Sequence, residues 1–134
     1  MIVADTCLVF HLLNETFLTA SAQEVLKKDP YWILPLLWRE EYANILSKLA
    51  RKEHRTVKEI ISHFNHAVHE LKHCEIVIDT QKALEISIAY KISVYDAHFV
   101  ALAVDNNTMV ITEDKEILKN CPNLALSLDE FKRV

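Results

Sequence analysis

What most constrains this chain is an alternation. Short apolar runs recur along it, and each is followed by a stretch with helical spacing. Ile2 to Ala4, Tyr31 to Leu34, Ile76 to Ile78, Thr108 to Thr112 and Leu124 to Leu126 read as strands. Between them, Leu8–Leu13 and Ser21–Lys28 read as helices, the second closed by Asp29-Pro30. Leu37–Arg51 places Trp38, Tyr42, Ile45, Leu46 and Leu49 on one face. Thr56 and Glu59 form a capping box ahead of an apolar stripe: Val57, Ile60, Ile61, Phe64, Ala67, Val68 and Leu71. Thr80–Lys91, Tyr95–Asp105 and Lys115–Asn120 are further helices, and Ser127 with Glu130 caps a final turn. Strands that alternate with helices predict an α/β fold around a mainly parallel sheet.

The chain is 134 residues long and 51% hydrophobic, enough to bury one core, so residues 1–134 are expected to form a single domain. No apolar run approaches the roughly 18 residues of a membrane span. No basic segment precedes an apolar run at the N-terminus, so neither membrane insertion nor a signal peptide is expected. Cys7, Cys74 and Cys121 match no metal spacing and no disulfide framework, which fits a reducing cytoplasm. A net charge of −4 argues against coating nucleic acid by charge alone. The absence of glycine removes phosphate-cradling loops and dinucleotide fingerprints.

In open parallel sheets, ligands bind beyond the carboxyl ends of the strands. Asp5 follows the first strand, and Glu113-Asp114 follows Thr108–Thr112. Asp96 stands near the front of I-S-V-Y-D-A-H-F-V-A-L-A, a helix otherwise made for a core. Glu41 lies about 60° from Trp38, on the shoulder of its helix's apolar stripe, and Asn44 and Lys48 continue that shoulder. Each acid also has a local explanation. Asp5 and Asp114 could cap the helices after them, Asp96 could complete a capping box with Ser93, and Glu41 could be solvated beside Glu40. Gathered together, four carboxylates would repel by roughly 1 to 4 kcal/mol per close pair, depending on solvation. A hard cation such as Mg²⁺ or Mn²⁺ relieves that repulsion and supports phosphodiester cleavage.

The segments V-A-D-T (3–6), L-L-W-R-E-E-Y-A-N-I-L (36–46), I-S-V-Y-D-A-H-F-V-A-L-A (92–103) and V-I-T-E-D-K-E-I-L (110–118) resemble the PIN-domain ribonucleases. Within that family the chain is most similar to the VapC toxins of toxin–antitoxin pairs. The resemblance runs from first strand to last and implies the PIN-like three-layer fold, a parallel sheet flanked by helices. It implies that Asp5 and Asp96 are the chief ligands of Mg²⁺ or Mn²⁺, completed by Glu41 and Asp114. Thr6 and Thr112 match supporting hydroxyls, and Asn44 belongs to the A-N pair that identifies Glu41. It further implies hydrolysis of RNA by metal-activated water, leaving a 5′-phosphate and a 3′-hydroxyl. A homodimer and a cognate antitoxin that blocks the cleft are implied as partners. Family members often carry glycine before the strand at 110. Here the turn is Asp105-Asn106-Asn107, and asparagine tolerates the left-handed backbone required.

Lys48, Arg51, Lys52 and Arg55 form the one basic cluster. It reads equally as an RNA-backbone contact or as a solvated helix end. His66, His69 and His73 lie opposite the apolar stripe of their helix and read as a polar surface, since no acid or cysteine completes a zinc site. Two other functions fit the same fold, an RNA-processing nuclease and a non-catalytic binding module. A phosphotransfer enzyme fits less well, because Cys7 stands where the second acid of an Asp-x-Asp motif belongs.

Overall fold

A computed structural model describes all residues 1–134. Its strands are β1 (Ile2–Ala4), β2 (Trp32–Pro35), β3 (Glu75–Ile76), β4 (Val110–Ile111) and β5 (Ala125–Leu126). Its helices are α1 (Thr6–Leu13), α2 (Thr19–Lys28), α3 (Trp38–Glu53), α4 (Val57–Leu71), α5 (Thr80–Tyr90), α6 (Val94–Asp105), α7 (Lys115–Asn120) and α8 (Leu128–Arg133). The strands make one all-parallel sheet in the order β3-β2-β1-β4-β5. This is the expected PIN-like α/β architecture.

The order of strands positions the site. From β1 the chain moves outward through β2 to β3, then returns to β1's other side for β4 and β5. The direction therefore reverses between β1 and β4, and the crevice beyond their carboxyl ends is the favoured ligand position. Asp5 and Thr112 are the first residues past those two strands.

Helix α6 makes the centre of the core. Ala97 and Phe99–Ala103 are fully buried, and the helix packs on β1, β2 and β4. Its alanines let the helix approach the sheet closely, while Phe99, Val100 and Leu102 supply apolar area at roughly 1.5–3 kcal/mol per large side chain.

Several boundaries differ from expectation. Strand β4 is two residues rather than five, although Met109 and Thr112 still bond along neighbouring strands. Helix α1 begins at Thr6 instead of Leu8, because the Asp5 carboxylate accepts the Thr6 N–H and starts the helix there. Without glycine, the chain takes the left-handed backbone at His54, Lys91 and Asn107, the last within the expected asparagine turn. The capping boxes at Thr56/Glu59 and Ser127/Glu130 are both formed. The apolar stripe of α4 is only partly covered. Ala67 and Leu71 are buried, whereas Val57 is 79% and Ile61 51% exposed. These two, with Ile60 and Phe64, line an open cavity of about 570 Å³ between α3 and α4. No helix is long and apolar enough to cross a membrane.

Candidate active site

Asp5 is held at the tip of β1 with 6% of its surface exposed. Its Oδ1 accepts the Thr6 N–H at 2.8 Å, and its Oδ2 accepts the Thr112 hydroxyl at 2.5 Å. The Thr6 hydroxyl donates to Glu41 Oε1 at 2.8 Å, linking α1 to α3. The Thr112 hydroxyl accepts the Asp114 N–H at 2.9 Å, linking the tip of β4 to α7. Two threonines thus tie three of the acids to rigid elements.

The local explanations for the acids hold alongside this clustering. Asp5 caps α1. Asp114 Oδ1 caps α7 by accepting from Glu116 N and Ile117 N, both at 2.9 Å, which leaves Oδ2 free. Asp96 N–H donates to Ser93 Oγ at 3.0 Å, but the return bond of a capping box is not made. The Asp96 carboxylate therefore remains available to the cleft. Of the doublets, Glu40 is exposed and Glu41 half-buried. Glu113 turns away, accepting Leu128 N–H at 2.9 Å at the head of α8.

Electrostatics link the four acids. Burial pushes the Asp5 carboxyl up to about 7; Glu41 and Asp96 add to the shift, while the Thr112 bond opposes it. Glu41 is raised by burial first, with Asp96 and Asp114 adding, against the Thr6 bond and nearby His98. Asp96 is raised by burial, then by Asp114 and Glu116, against the opposing influence of the Ser93 hydroxyl. Cys7 reaches the surface, yet enough protein surrounds its sulfur for desolvation to push the thiol up to about 12. Asp5, Asp114, Glu41 and Asp96 all contribute to that rise, so all four lie in the neighbourhood of one side chain.

None of the four pairs with a lysine, arginine or histidine. As the side chains stand, no three His, Cys, Asp or Glu groups close on a single point. An all-oxygen set with free carboxylate edges suits a hard cation that takes one or two carboxylates and keeps its waters. It matches zinc less well, since protein zinc sites are built mainly from histidine nitrogen and cysteine sulfur.

A PIN-domain family model matches residues 2–121. The chain belongs to the PIN-domain family. PIN domains are typically nucleases. No match was found among curated protein sequences. Among solved structures, the chain is similar to PAE2754 from Pyrobaculum aerophilum, at 18% identity and TM-score 0.69, covering 98% of this chain and 93% of that one. It is also similar to a chain of a toxin–antitoxin complex from Klebsiella pneumoniae, at 19% identity and TM-score 0.59, covering 96% and 98%. At these identities the likeness establishes the shared fold.

The remaining sequence-derived residues of this PIN domain lie along α3 and just after it. Asn44 is exposed one turn beyond Glu41 on α3. Lys48 and Lys52 continue that helix face, seven and eleven positions after Glu41. Arg51 and Arg55 instead line the cavity between α3 and α4, where Arg51 bonds to Ser47 and Arg55 to Glu53. Glu116 and Cys7 also belong to the electrostatic neighbourhood of the acids. Sequence reasoning passed over Glu116 and weighed Cys7 only as the residue that breaks an Asp-x-Asp motif. Glu116 carries a signal only in its spacing, two residues beyond Asp114. His63 is not part of the exposed histidine row: its Nε2 meets the Tyr42 hydroxyl at 2.8 Å.

Proposed function

We propose that this PIN domain is a Mg²⁺- or Mn²⁺-dependent endoribonuclease and the toxin of a VapC-type toxin–antitoxin pair. The observation that carries the reading is the gathering of Asp5, Glu41, Asp96 and Asp114 at the reversal point of the sheet, three of them held by Thr6 and Thr112 and none with a cationic partner. Asp5 and Asp96 would be the chief holders of the cation, with Glu41 and Asp114 completing the site directly or through water. A cation held there supplies an activated water and neutralises charge on the phosphate. Thr6 and Thr112 hold the Glu41 and Asp5 carboxylates in place. Lys48 and Lys52 would take the RNA backbone leading away from the cleft. Arg51 and Arg55, expected at first as RNA contacts too, sit less directly on that path.

The toxin role draws support from the likeness to a chain of the Klebsiella pneumoniae toxin–antitoxin complex. With it come a cognate antitoxin as partner, a homodimer, action in the cytoplasm, and the whole of residues 1–134 working as one PIN domain. Free, unpaired Cys7, Cys74 and Cys121 agree with a reducing compartment.

Incubation with single-stranded RNA tests the reading. Mg²⁺ or Mn²⁺ should yield fragments with 5′-phosphates, and EDTA should stop the reaction. Fragments ending in 2′,3′-cyclic phosphate would overturn metal-activated hydrolysis. Expression of the chain alone should arrest growth, and Asp5→Asn at matched soluble levels should not.

A further inference from the structure

Beside the four acids lies an open cavity of about 340 Å³ between the start of α3 and the start of α6. Glu41 and Asp96 form its inner edge, and Glu40, Asn44, Ser93 and Tyr95 its remaining polar walls. Tyr95 is the anomaly. It lies in the first turn of α6, the most deeply buried helix of the fold, yet is 64% exposed. Its ring packs against no other aromatic ring. Glu40 is in no ion pair. A flat aromatic face, an exposed amide and a carboxylate outside any ion pair thus border a space with no evident structural use.

We propose that this cavity is a nucleobase subsite, in which one base of the RNA strand stacks on Tyr95 with its Watson–Crick edge towards Glu40 and Asn44. The proposal rests on the ribonuclease reading and adds a preference in sequence. A phosphate is disfavoured at the Glu40 end, because the cation that Glu41 and Asp96 would hold does not neutralise that third carboxylate. An apolar ligand is disfavoured because Leu37 and the Tyr95 ring are the only apolar walls. A base meets both conditions: it is uncharged, planar and edged with donors. Single-stranded RNA is read by stacking unpaired bases on aromatic side chains and bonding their edges. Glu40 is acceptor-only when ionised. Guanine alone among the RNA bases presents two adjacent N–H donors on its Watson–Crick edge, so it matches a carboxylate best. The Asn44 amide, which both donates and accepts, lies on the same helix face as Lys48 and Lys52. The strand would run from the base on Tyr95 along those lysines.

Two measurements test this. Steady-state cleavage is followed on single-stranded RNAs that differ only in the nucleotide beside the scissile bond. Tyr95→Ala should raise KM by roughly 5- to 150-fold, the usual range for losing one stacked base, with kcat little changed. Tyr95→Trp should retain the wild-type KM, and Glu40→Gln should bring the KM for guanosine-containing RNA up to that for uridine-containing RNA. Binding is read separately, by amide chemical shifts of the labelled full chain titrated with 5′-GMP, AMP, CMP or UMP, which have no internal bond to cut. GMP should move the Asn44 and Tyr95 resonances at the lowest concentration, and Tyr95→Ala should abolish the response. An unchanged KM in Tyr95→Ala, or equal responses to all four nucleotides, overturns the subsite even if RNA is cut. Selective GMP binding without any cleavage of RNA overturns the ribonuclease reading and leaves the subsite standing.

Discussion

The Thr112 hydroxyl donates to the Asp5 carboxylate at 2.5 Å, a buried contact between the tips of two neighbouring parallel strands. The same oxygen accepts the Asp114 N–H. One hydroxyl therefore orients two acids that stand 109 positions apart (114 − 5). Thr112→Val keeps the shape and removes both bonds. It should destabilise the fold by roughly 1–3 kcal/mol, the cost of leaving buried polar groups unpaired. Urea unfolding reads the loss, and Thr112→Ser should recover most of it.

Stability without metal should fall as pH rises between about 4 and 7. Asp5 sets the window, with an unfolded value of 3.8 and a folded value near 7. Between them the folded chain keeps a proton that the unfolded chain has released, so raising pH favours unfolding. Glu41 and Asp96 shift in the same direction. His11 and His63 are lowered by burial and work oppositely, losing stability as pH falls below 6.5. Glu75 is lowered by the Arg39 bond, so its contribution is present above pH 4.5 and lost in stronger acid. Asp5→Asn separates these effects. Relative to wild type it should gain stability as pH rises to 7 and then level off. A difference that stays flat across that window would sink the argument.

Metal should reverse the repulsion. A cation bound only by the folded state stabilises it by about 2.7 kcal/mol at a hundredfold excess over its dissociation constant. The melting temperature should therefore climb with Mg²⁺ or Mn²⁺. Asp96→Asn should raise the metal-free melting temperature, because Asp96 repels Asp114 and adds to the burden on Glu41 and Asp5. The same variant should blunt the response to metal. Equal responses in both proteins would remove Asp96 from the site.

How much of this was legible in the sequence follows from the physics of each signal. The alternation of apolar runs with helices announced the parallel sheet, and strand tips pointed to Asp5 and Asp114. Strands buried on both faces carry no period-two pattern to mark their ends, so β1 is read as it stands, β2 and β3 are displaced by a residue or more, and β4 is read too long. The stripe on α4 was legible as a stripe, but periodicity does not say what covers it, and Val57 and Ile61 are left open. In the sequence Tyr95 only opens a helix, and Glu40 only neighbours Glu41. Their relation to Asn44 depends on how α3 and α6 meet, which no local spacing encodes.

The contact furthest from any sequence pattern joins Arg39 to Glu75. Arg39 Nε and Nη2 reach the two Glu75 oxygens, both at 2.5 Å, and the Trp38 indole N–H donates to the same carboxylate at 2.8 Å. Helix α3 has no side-chain cap at Leu37, so this triple contact with β3 secures its first turn. Glu41 lies two residues beyond Arg39, and its position depends on that turn. Glu75→Gln should cost roughly 1.5–3 kcal/mol, the usual worth of hydrogen bonds to a charged group. Asp105→Asn, which breaks the exposed pair with Lys82, should stay within about 1 kcal/mol and serves as the control. Glu75→Gln should also weaken the stabilisation by Mg²⁺, and combining it with Glu41→Gln should weaken that response no further than Glu41→Gln alone. Additive losses in the double variant would mean that Glu75 supports the fold without acting through Glu41.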